Sequence, residues 1–339
     1  MNRQSYCLYL PSQYYGTINS ALNWRENEFS IYLQPGRNVG DKVSIVRLDT
    51  PPEVIIINEL TTGVSGSGNN ALLYLPPYGH IGYLRGTIAL DIIPQNGNFS
   101  IRCSVPDSTL YVVNELKQAM EQRNISVLDQ YKTEVIKTDR KTIYTHQSPT
   151  LDKIVYWFQQ DSINFYGELL IKKIAQYTRI CAVDDAFLYV LPYYCFTLHD
   201  IEKTAVATRD GSGLSPTNRI TTLSIAKVLI GVQKEKWFDT FYNSMPIRND
   251  LRVKGGSLRN TLSYAGYAKP QARNNNHTLV FSFIVNNYNG QSTTMRNKIW
   301  ALLDELKTCS ASSRIAHGST IIVLGIYMSL TFSTENTLH

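Results

Sequence analysis

The sequence predicts a mixed α/β protein whose first part is rich in β-strands. Short runs of β-branched and aromatic residues, separated by Gly- and Pro-containing turns, dominate residues 1–146. Over residues 147–308, amphipathic helical patterns alternate with strand-like runs. The 339 residues, 43% of them apolar and 18% charged, are enough for two or three globular domains. We expect one region at 1–146, a second at 147–308, and an unassigned tail at 309–339.

Strand-forming runs recur through the first region, each bounded by turn residues. They cover residues 29–33, 43–46, 54–57, 83–90 and 99–102. The run at 54–57 consists of four β-branched residues, which favours a buried strand. One helix interrupts these strands. Its apolar residues recur at helical spacing, and Asp107 or Ser108 is the expected N-cap; the apolar positions are Leu110, Val113, Leu116 and Met120.

Helices and strands alternate in the second region. A helix predicted at 151–158 leads to Ser162, which is a typical N-cap residue for the helix that follows. We further expect an apolar, aromatic-rich segment at 184–196, a helix at 221–230, and strands at 262–267 and 279–285, the last of them buried. A final helix at 295–306 is expected to turn four residues inward: Ile299, Leu302, Leu303 and Leu306.

Several classes of partner and cofactor have no support in the sequence. The net charge of +6 is spread along the chain without a basic cluster, so we expect no nucleic-acid partner. Five cysteines without a C-x-x-C spacing and six dispersed histidines predict neither a metal site nor a cofactor. The first residues show no apolar signal-peptide core. The longest apolar run, 321–332, is too short to span a membrane.

Three short motifs follow one another in the second region. They are Ser162-Ile163-Asn164, then Asp210-Gly211-Ser212-Gly213-Leu214-Ser215 with Asn218, then Lys254-Gly255-Gly256-Ser257. Each motif alone has an ordinary structural explanation: a helix cap, a glycine turn and a solvated strand lysine. In this order and spacing they resemble the penicillin-recognising serine D-Ala-D-Ala carboxypeptidases, in particular the low-molecular-mass carboxypeptidase/endopeptidase class. The resemblance covers about residues 14–306.

The resemblance implies a β-lactamase/transpeptidase-like catalytic domain, with residues 1–146 as inserted β-rich domains. It implies hydrolysis of D-Ala-D-Ala stem peptides of peptidoglycan in the periplasm, and reaction with β-lactams if a nucleophile is present. In this family's scheme Ser162 relays a proton to the leaving amine, Asn164 binds the substrate amide, and Lys254 attracts the terminal carboxylate. The other implied substrate-binding residues are Asp210, Ser212, Gly255, Gly256 and Ser257.

Two departures from the family pattern bear on activity. The family places a Ser-x-x-Lys nucleophile motif before Ser-x-Asn, and here the one such motif, Ser224-Ile225-Ala226-Lys227, comes after it. We interpret that motif as a chance match in a surface helix. The usual Lys-Thr/Ser-Gly is Lys254-Gly255-Gly256, which removes a hydroxyl. We therefore expect an N-terminally truncated or degenerate member with impaired hydrolysis.

Two other interpretations of the same departures remain open. The chain could be a non-catalytic peptidoglycan-binding or scaffold protein that keeps the cleft for recognition. Alternatively, the gene could begin further upstream and encode the nucleophile motif there. Retained binding of a stem peptide without turnover would favour the first, and an upstream reading frame with Ser-x-x-Lys would favour the second.

Overall fold

The computed structural model of the chain describes residues 16, 19–92, 99–127, 141–142, 144–178, 201–269, 278–308 and 327–328. The chain divides into two compact units, Met1–His146 and Gln147–His339, called the N-terminal and C-terminal units below. The aromatic-rich segment predicted at 184–196 lies outside the described residues. Among the helices that are described, none has the length and apolar character needed to cross a membrane.

The N-terminal unit consists, in its described part, of short strands and one α-helix. They are β1 (Glu28–Gln34), β2 (Ser44–Leu48), β3 (Ile55–Asn58), β4 (Thr61–Gly63), β5 (Leu72–Tyr74), β6 (Ile81–Arg85), β7 (Thr87–Ala89), β8 (Phe99–Ser104) and α1 (Ser108–Glu121). β1 lies between β2 and β8, β6 lies between β3 and β5, and β4 pairs with β7. The run predicted at 83–90 is split at Gly86, whose φ of 111° and contact with the Asn70 carbonyl exclude a side chain.

Alternation along the strands builds the core of this unit. Phe29, Ile31 and Leu33 of β1 are buried, and Ile31 faces Ile101 of β8. The predicted buried strand at 54–57 is wrong, because Ile55 is 61% exposed. β3 has one solvent face, so consecutive β-branched residues alternate between the core side and solvent.

Helix α1 is capped as predicted but buries a different face. The Asp107 carboxylate accepts a hydrogen bond from the Leu110 N–H at 3.0 Å. The helix buries Tyr111 and Asn114, whereas Leu116 is 59% exposed. The Asn114 amide donates to the Glu53 carboxylate at 2.7 Å, so the buried face of α1 includes a polar contact.

The C-terminal unit is organised around a mixed sheet in the order β11-β12-β13-β14-β15. Its elements are α2 (Leu151–Asp161), α3 (Asn164–Tyr177), β9 (Val206–Ala207), β10 (Arg219–Ile220), α4 (Thr222–Val232), α5 (Phe238–Ser244), β11 (Ile247–Arg248), β12 (Leu251–Leu258), β13 (Thr261–Ala268), β14 (Leu279–Asn286), α6 (Ser292–Thr308) and β15 (Tyr327–Met328). β15 lies within the tail that the sequence left unassigned, and it pairs parallel to β14.

Helices cover both faces of this sheet. α6 packs on one face, where the apolar cluster includes Val253, Leu262 and Phe281, and α4 and α5 pack on the other, against Tyr267 and Val280. β14 is therefore a buried strand, as predicted. In α6, Ile299, Leu303 and Leu306 are buried as predicted, but Leu302 is 40% exposed because it lies at the edge of that stripe.

Candidate active site

Ser162 lies in the sharp connection between two consecutive helices. α2 ends at Asp161 and α3 begins at Asn164, and Ser162 takes the left-handed conformation with φ 55° and ψ 45°. The predicted N-cap role is wrong, because Ser162 caps the C-terminal end of α2 and Ile163 holds the N-cap position of α3. A left-handed conformation is uncommon for serine. Its side chain is exposed and not engaged in capping a helix N-terminus.

Lys254 reaches Ser162 from strand β12. Its Nζ donates a hydrogen bond to Ser162 Oγ at 2.7 Å and a second to the Gly255 carbonyl at 3.2 Å. The pleat explains its direction: Leu251 and Val253 are buried in the cluster against α6, so Lys254 lies on the opposite face of the sheet. The fold thus brings the first and third motifs into contact, although Ser162 and Lys254 are 92 residues apart in the sequence.

The environment of Lys254 disfavours its charged form. Burial lowers the pKa of the Lys254 ammonium, and the positive charge of Arg248 lowers that pKa further. Among the described residues, no carboxylate forms a salt bridge with its Nζ. Lys254 is therefore a half-buried amine whose hydrogen bonds go to a hydroxyl and a carbonyl. Its charge is not balanced by a salt bridge to any carboxylate that the structure describes.

One side of β12 presents backbone groups that the described strands leave unpaired. β11 pairs with β12 only at Leu251 and Arg252, and the Val253 N–H then donates to the Pro246 carbonyl at 2.9 Å. N–H groups along a strand alternate in direction, so those of Gly255 and Ser257 point to the same side as that of Val253. An extended peptide could therefore pair with this edge.

The loop carrying the second motif is held together by Asp210. One carboxylate oxygen of Asp210 accepts hydrogen bonds from the Gly213 N–H and the Asn218 amide, both at 2.8 Å, and the other accepts from the Ser215 N–H. Asn218 in turn accepts from the Arg209 N–H at 2.6 Å. Asp210 thus acts within the loop in this structure, and its predicted contact with substrate stays a prediction.

Glu168 fixes that loop to helix α3, a role that sequence reasoning did not assign. Its Oε1 accepts hydrogen bonds from the Gly211 N–H at 3.0 Å and the Ser212 N–H at 2.9 Å. The backbones of Gly167 and Gly211 also meet directly: a Cβ on Gly167 would lie 2.4 Å from the Gly211 carbonyl oxygen. The adjacent Gly167-Glu168 pair, three and four residues after Asn164, was the available signal.

The glycines of the third motif pack against strand β13. Gly255 faces Tyr264, and a Cβ at Gly255 would lie 2.9 Å from Tyr264 Cε1. The Tyr264 ring in turn contacts Trp300 of α6, with ring centroids 5.1 Å apart. The space for a threonine at this position is therefore occupied by a packed aromatic ring. Gly256 and Ser257 are exposed farther along β12.

The Ser-x-x-Lys at 224–227 serves a structural purpose. Thr221 is the N-cap of α4, and its hydroxyl accepts from the Ser224 N–H at 3.1 Å. Ser224 Oγ lies 2.7 Å from Thr221 Oγ1, and Ser224 is only 2% exposed. The helix packs on the sheet rather than lying free on the surface as expected, and its serine has no access for a substrate.

Comparisons with known proteins identify the family of the chain. The sequence profile of the D-Ala-D-Ala carboxypeptidase 3 (S13) family matches residues 10–306. The chain belongs to this family. A D-alanyl-D-alanine carboxypeptidase of Actinomadura sp. (strain R39) is 24% identical to it over 209 residues, which are 60% of this chain and 38% of that protein. The chain therefore spans well under half of that relative's length.

Solved structures confirm the predicted fold class. Penicillin binding protein 4 (dacB) of Haemophilus influenzae superposes with a TM-score of 0.65 at 16% identity, covering 88% of this chain and 70% of that one. The same protein in complex with a β-lactam gives a TM-score of 0.61 at 17% identity, covering 86% and 71%. The chain has the mixed α/β, transpeptidase-like fold of the low-molecular-mass penicillin-binding proteins.

Proposed function

We propose that this chain recognises the D-Ala-D-Ala end of peptidoglycan stem peptides at the site formed by Ser162, Asn164 and Lys254. The observation that carries the proposal is the 2.7 Å hydrogen bond from Lys254 to Ser162, because it joins two motifs of the family on one surface. Membership of a family of D-Ala-D-Ala carboxypeptidases supports the choice of peptide. The compartment that fits such a substrate is the periplasm.

Each group at the site has a part in binding. A stem peptide ends in a carboxylate, and Lys254 is a cation without a carboxylate partner in the described chain, so the two charges attract. The open edge of β12 would pair with the extended peptide backbone through Gly255 and Ser257. Asn164, at the first turn of α3, would contact the substrate amide, and the loop of Asp210 and Ser212 would form the neighbouring wall. β-Lactams would occupy the same site as mimics of the peptide.

We expect hydrolysis by the family's usual Ser-x-x-Lys nucleophile to be impaired in this chain. Within the 339 residues the one Ser-x-x-Lys is the motif at 224–227, whose serine is buried and hydrogen-bonded to Thr221. This observation favours the second candidate function, a peptidoglycan-binding or scaffold protein without turnover by that route. Both candidates require the same recognition of the peptide, and they differ in whether D-Ala is released.

Calorimetric titration with diacetyl-L-Lys-D-Ala-D-Ala tests recognition. We expect saturable binding that weakens as salt is added, because a charge pair contributes to it. The diastereomer ending in L-Ala-L-Ala is the matched control and should not bind. Equal binding of the two peptides, or none to the folded protein, would contradict the proposal. Assay of free D-Ala in the same samples then separates the enzyme from the binding protein.

A further inference from the structure

We infer that the chain self-associates through the outer face of the sheet β3-β6-β5, and that a second copy of the chain covers this face. The surface belongs to the N-terminal unit, whereas the proposed peptide site is built from residues of the C-terminal unit. The inference therefore goes beyond the proposed function and does not rest on it.

The outer face of this sheet is apolar. Alternation along the strands turns Leu73 of β5 and Leu84 of β6 into the core, where both are fully buried. The residues between them point outward. Five large apolar or aromatic side chains of this outer face are each 38–61% exposed: Ile55, Ile57, Tyr74, Ile81 and Tyr83. In layered folds an apolar sheet face of this kind is ordinarily covered by another sheet or by a helix.

The strand registers join these five side chains into one continuous patch, called the outer patch below. In the parallel pair β3 and β6, Ile55 lies beside Ile81 and Ile57 lies beside Tyr83. In the antiparallel pair β5 and β6, Tyr74 lies beside Tyr83 on its other side. Neighbouring strands are about 4.8 Å apart, so side chains paired in this way are in contact. Contiguous apolar surface of this size on a folded protein marks an interaction site.

The charges at the end of the outer patch neutralise each other. Arg85, the last residue of β6, forms a salt bridge with Glu59, which follows β3. The Arg85 guanidinium also lies over the Tyr83 ring, 5.1 Å from its centroid. This pair contributes no net charge, although the whole chain carries +6. A neutral patch does not repel its own copy, and it gives a strongly acidic or basic partner no charge to recognise.

A second copy supplies the surface that the outer patch requires. Two sheets pack face to face about 10 Å apart with their side chains interdigitated, and a two-fold axis sets the same patch of both copies against each other. Side chains that are about half exposed give each copy roughly 500 Å² of apolar surface. Two such patches bury about 1,000 Å² in total, which is near the lower limit for a specific interface. The association should therefore be reversible and weak, in the micromolar range.

Sedimentation of the full chain at concentrations from about 1 to 100 μM tests the inference. We expect the average mass to rise from one chain toward two, and the association to persist as salt is added, because apolar contacts are not screened. Ile55→Lys places a charge on the most exposed side chain of the outer patch in both copies, and should weaken the association at least tenfold. Val46→Lys is the matched control and should associate normally, since Val46 is an exposed residue of β2 in a different sheet.

A charge-swapped pair separates loss of the interface from loss of the fold. An equal mixture of Ile55→Lys and Ile55→Glu should associate more tightly than either variant alone, because the two copies then carry opposite charges. A chain that stays monomeric throughout the range would overturn the inference and leave the outer patch to a different partner. Ile55→Lys associating as tightly as Val46→Lys, or a mixture no tighter than its components, would also overturn it. None of these results bears on stem-peptide binding, which is tested separately.

Discussion

The Gly167→Ala variant is expected to be less stable than the unaltered chain by about 2 kcal/mol, although alanine is the better helix former. Gly167 lies in the first turns of α3, where helix propensity alone predicts a gain of about 1 kcal/mol for alanine. The added Cβ, however, would lie 2.4 Å from the Gly211 carbonyl oxygen and 3.0 Å from the Phe158 ring. Because the first of these is backbone, relief requires the loop to move, at a cost of about 3 kcal/mol.

Urea denaturation followed by circular dichroism measures this effect. The matched control is Gly256→Ala, whose Cβ would meet only the Ser263 hydroxyl at 2.8 Å, a group that can rotate away. We expect Gly256→Ala to cost much less than Gly167→Ala. A Gly167→Ala variant as stable as the unaltered chain would mean that α3 and the 210–215 loop are not in direct backbone contact.

The Lys254→Met variant is expected to lose at least tenfold in affinity for diacetyl-L-Lys-D-Ala-D-Ala. A charge-assisted hydrogen bond contributes about 1.5–3 kcal/mol, which corresponds to roughly 10- to 150-fold in binding. The same substitution should not destabilise the fold. The lowered pKa of Lys254 means that the folded state disfavours the ammonium, and methionine removes that cost while keeping a similar apolar stem.

Titration calorimetry and thermal unfolding on the same sample measure the two effects together. Lys254→Arg is the control here, since it keeps the positive charge and should retain most of the affinity. If Lys254→Met binds the peptide as well as the unaltered chain, the carboxylate is held elsewhere. If Lys254→Met loses stability as well as affinity, the loss of binding would have to be assigned to the fold and not to the charge.

The regular elements around the site followed from the sequence. The apolar run of β14 and the two helices flanking Ser162 lie where the sequence predicts them. A continuous apolar run favours a buried strand, and apolar residues at helical spacing favour an amphipathic helix. The family's fold was likewise recognisable, because three motifs in a fixed order are rarely met together by chance.

The details that decide the chemistry did not follow from local pattern. Ser162 was expected to cap α3, since serine is a favoured N-cap, but α2 ends only one residue earlier and Ser162 is its left-handed C-cap. The role of Glu168 depends on a loop 43 residues away, and the fit of Gly255 depends on the ring of Tyr264. The exposure of Ile55 and Leu302 was set by which faces the neighbouring elements cover. Such tertiary contacts leave no periodic trace in the sequence.

Titration calorimetry with benzylpenicillin tests the central claim most directly, namely that the surface joined by Ser162 and Lys254 accepts D-Ala-D-Ala mimics. The account predicts saturable binding that excess diacetyl-L-Lys-D-Ala-D-Ala displaces and that the Lys254→Met substitution weakens at least tenfold. A folded protein that binds no penicillin, or one whose penicillin binding is unaffected by the peptide, would contradict it.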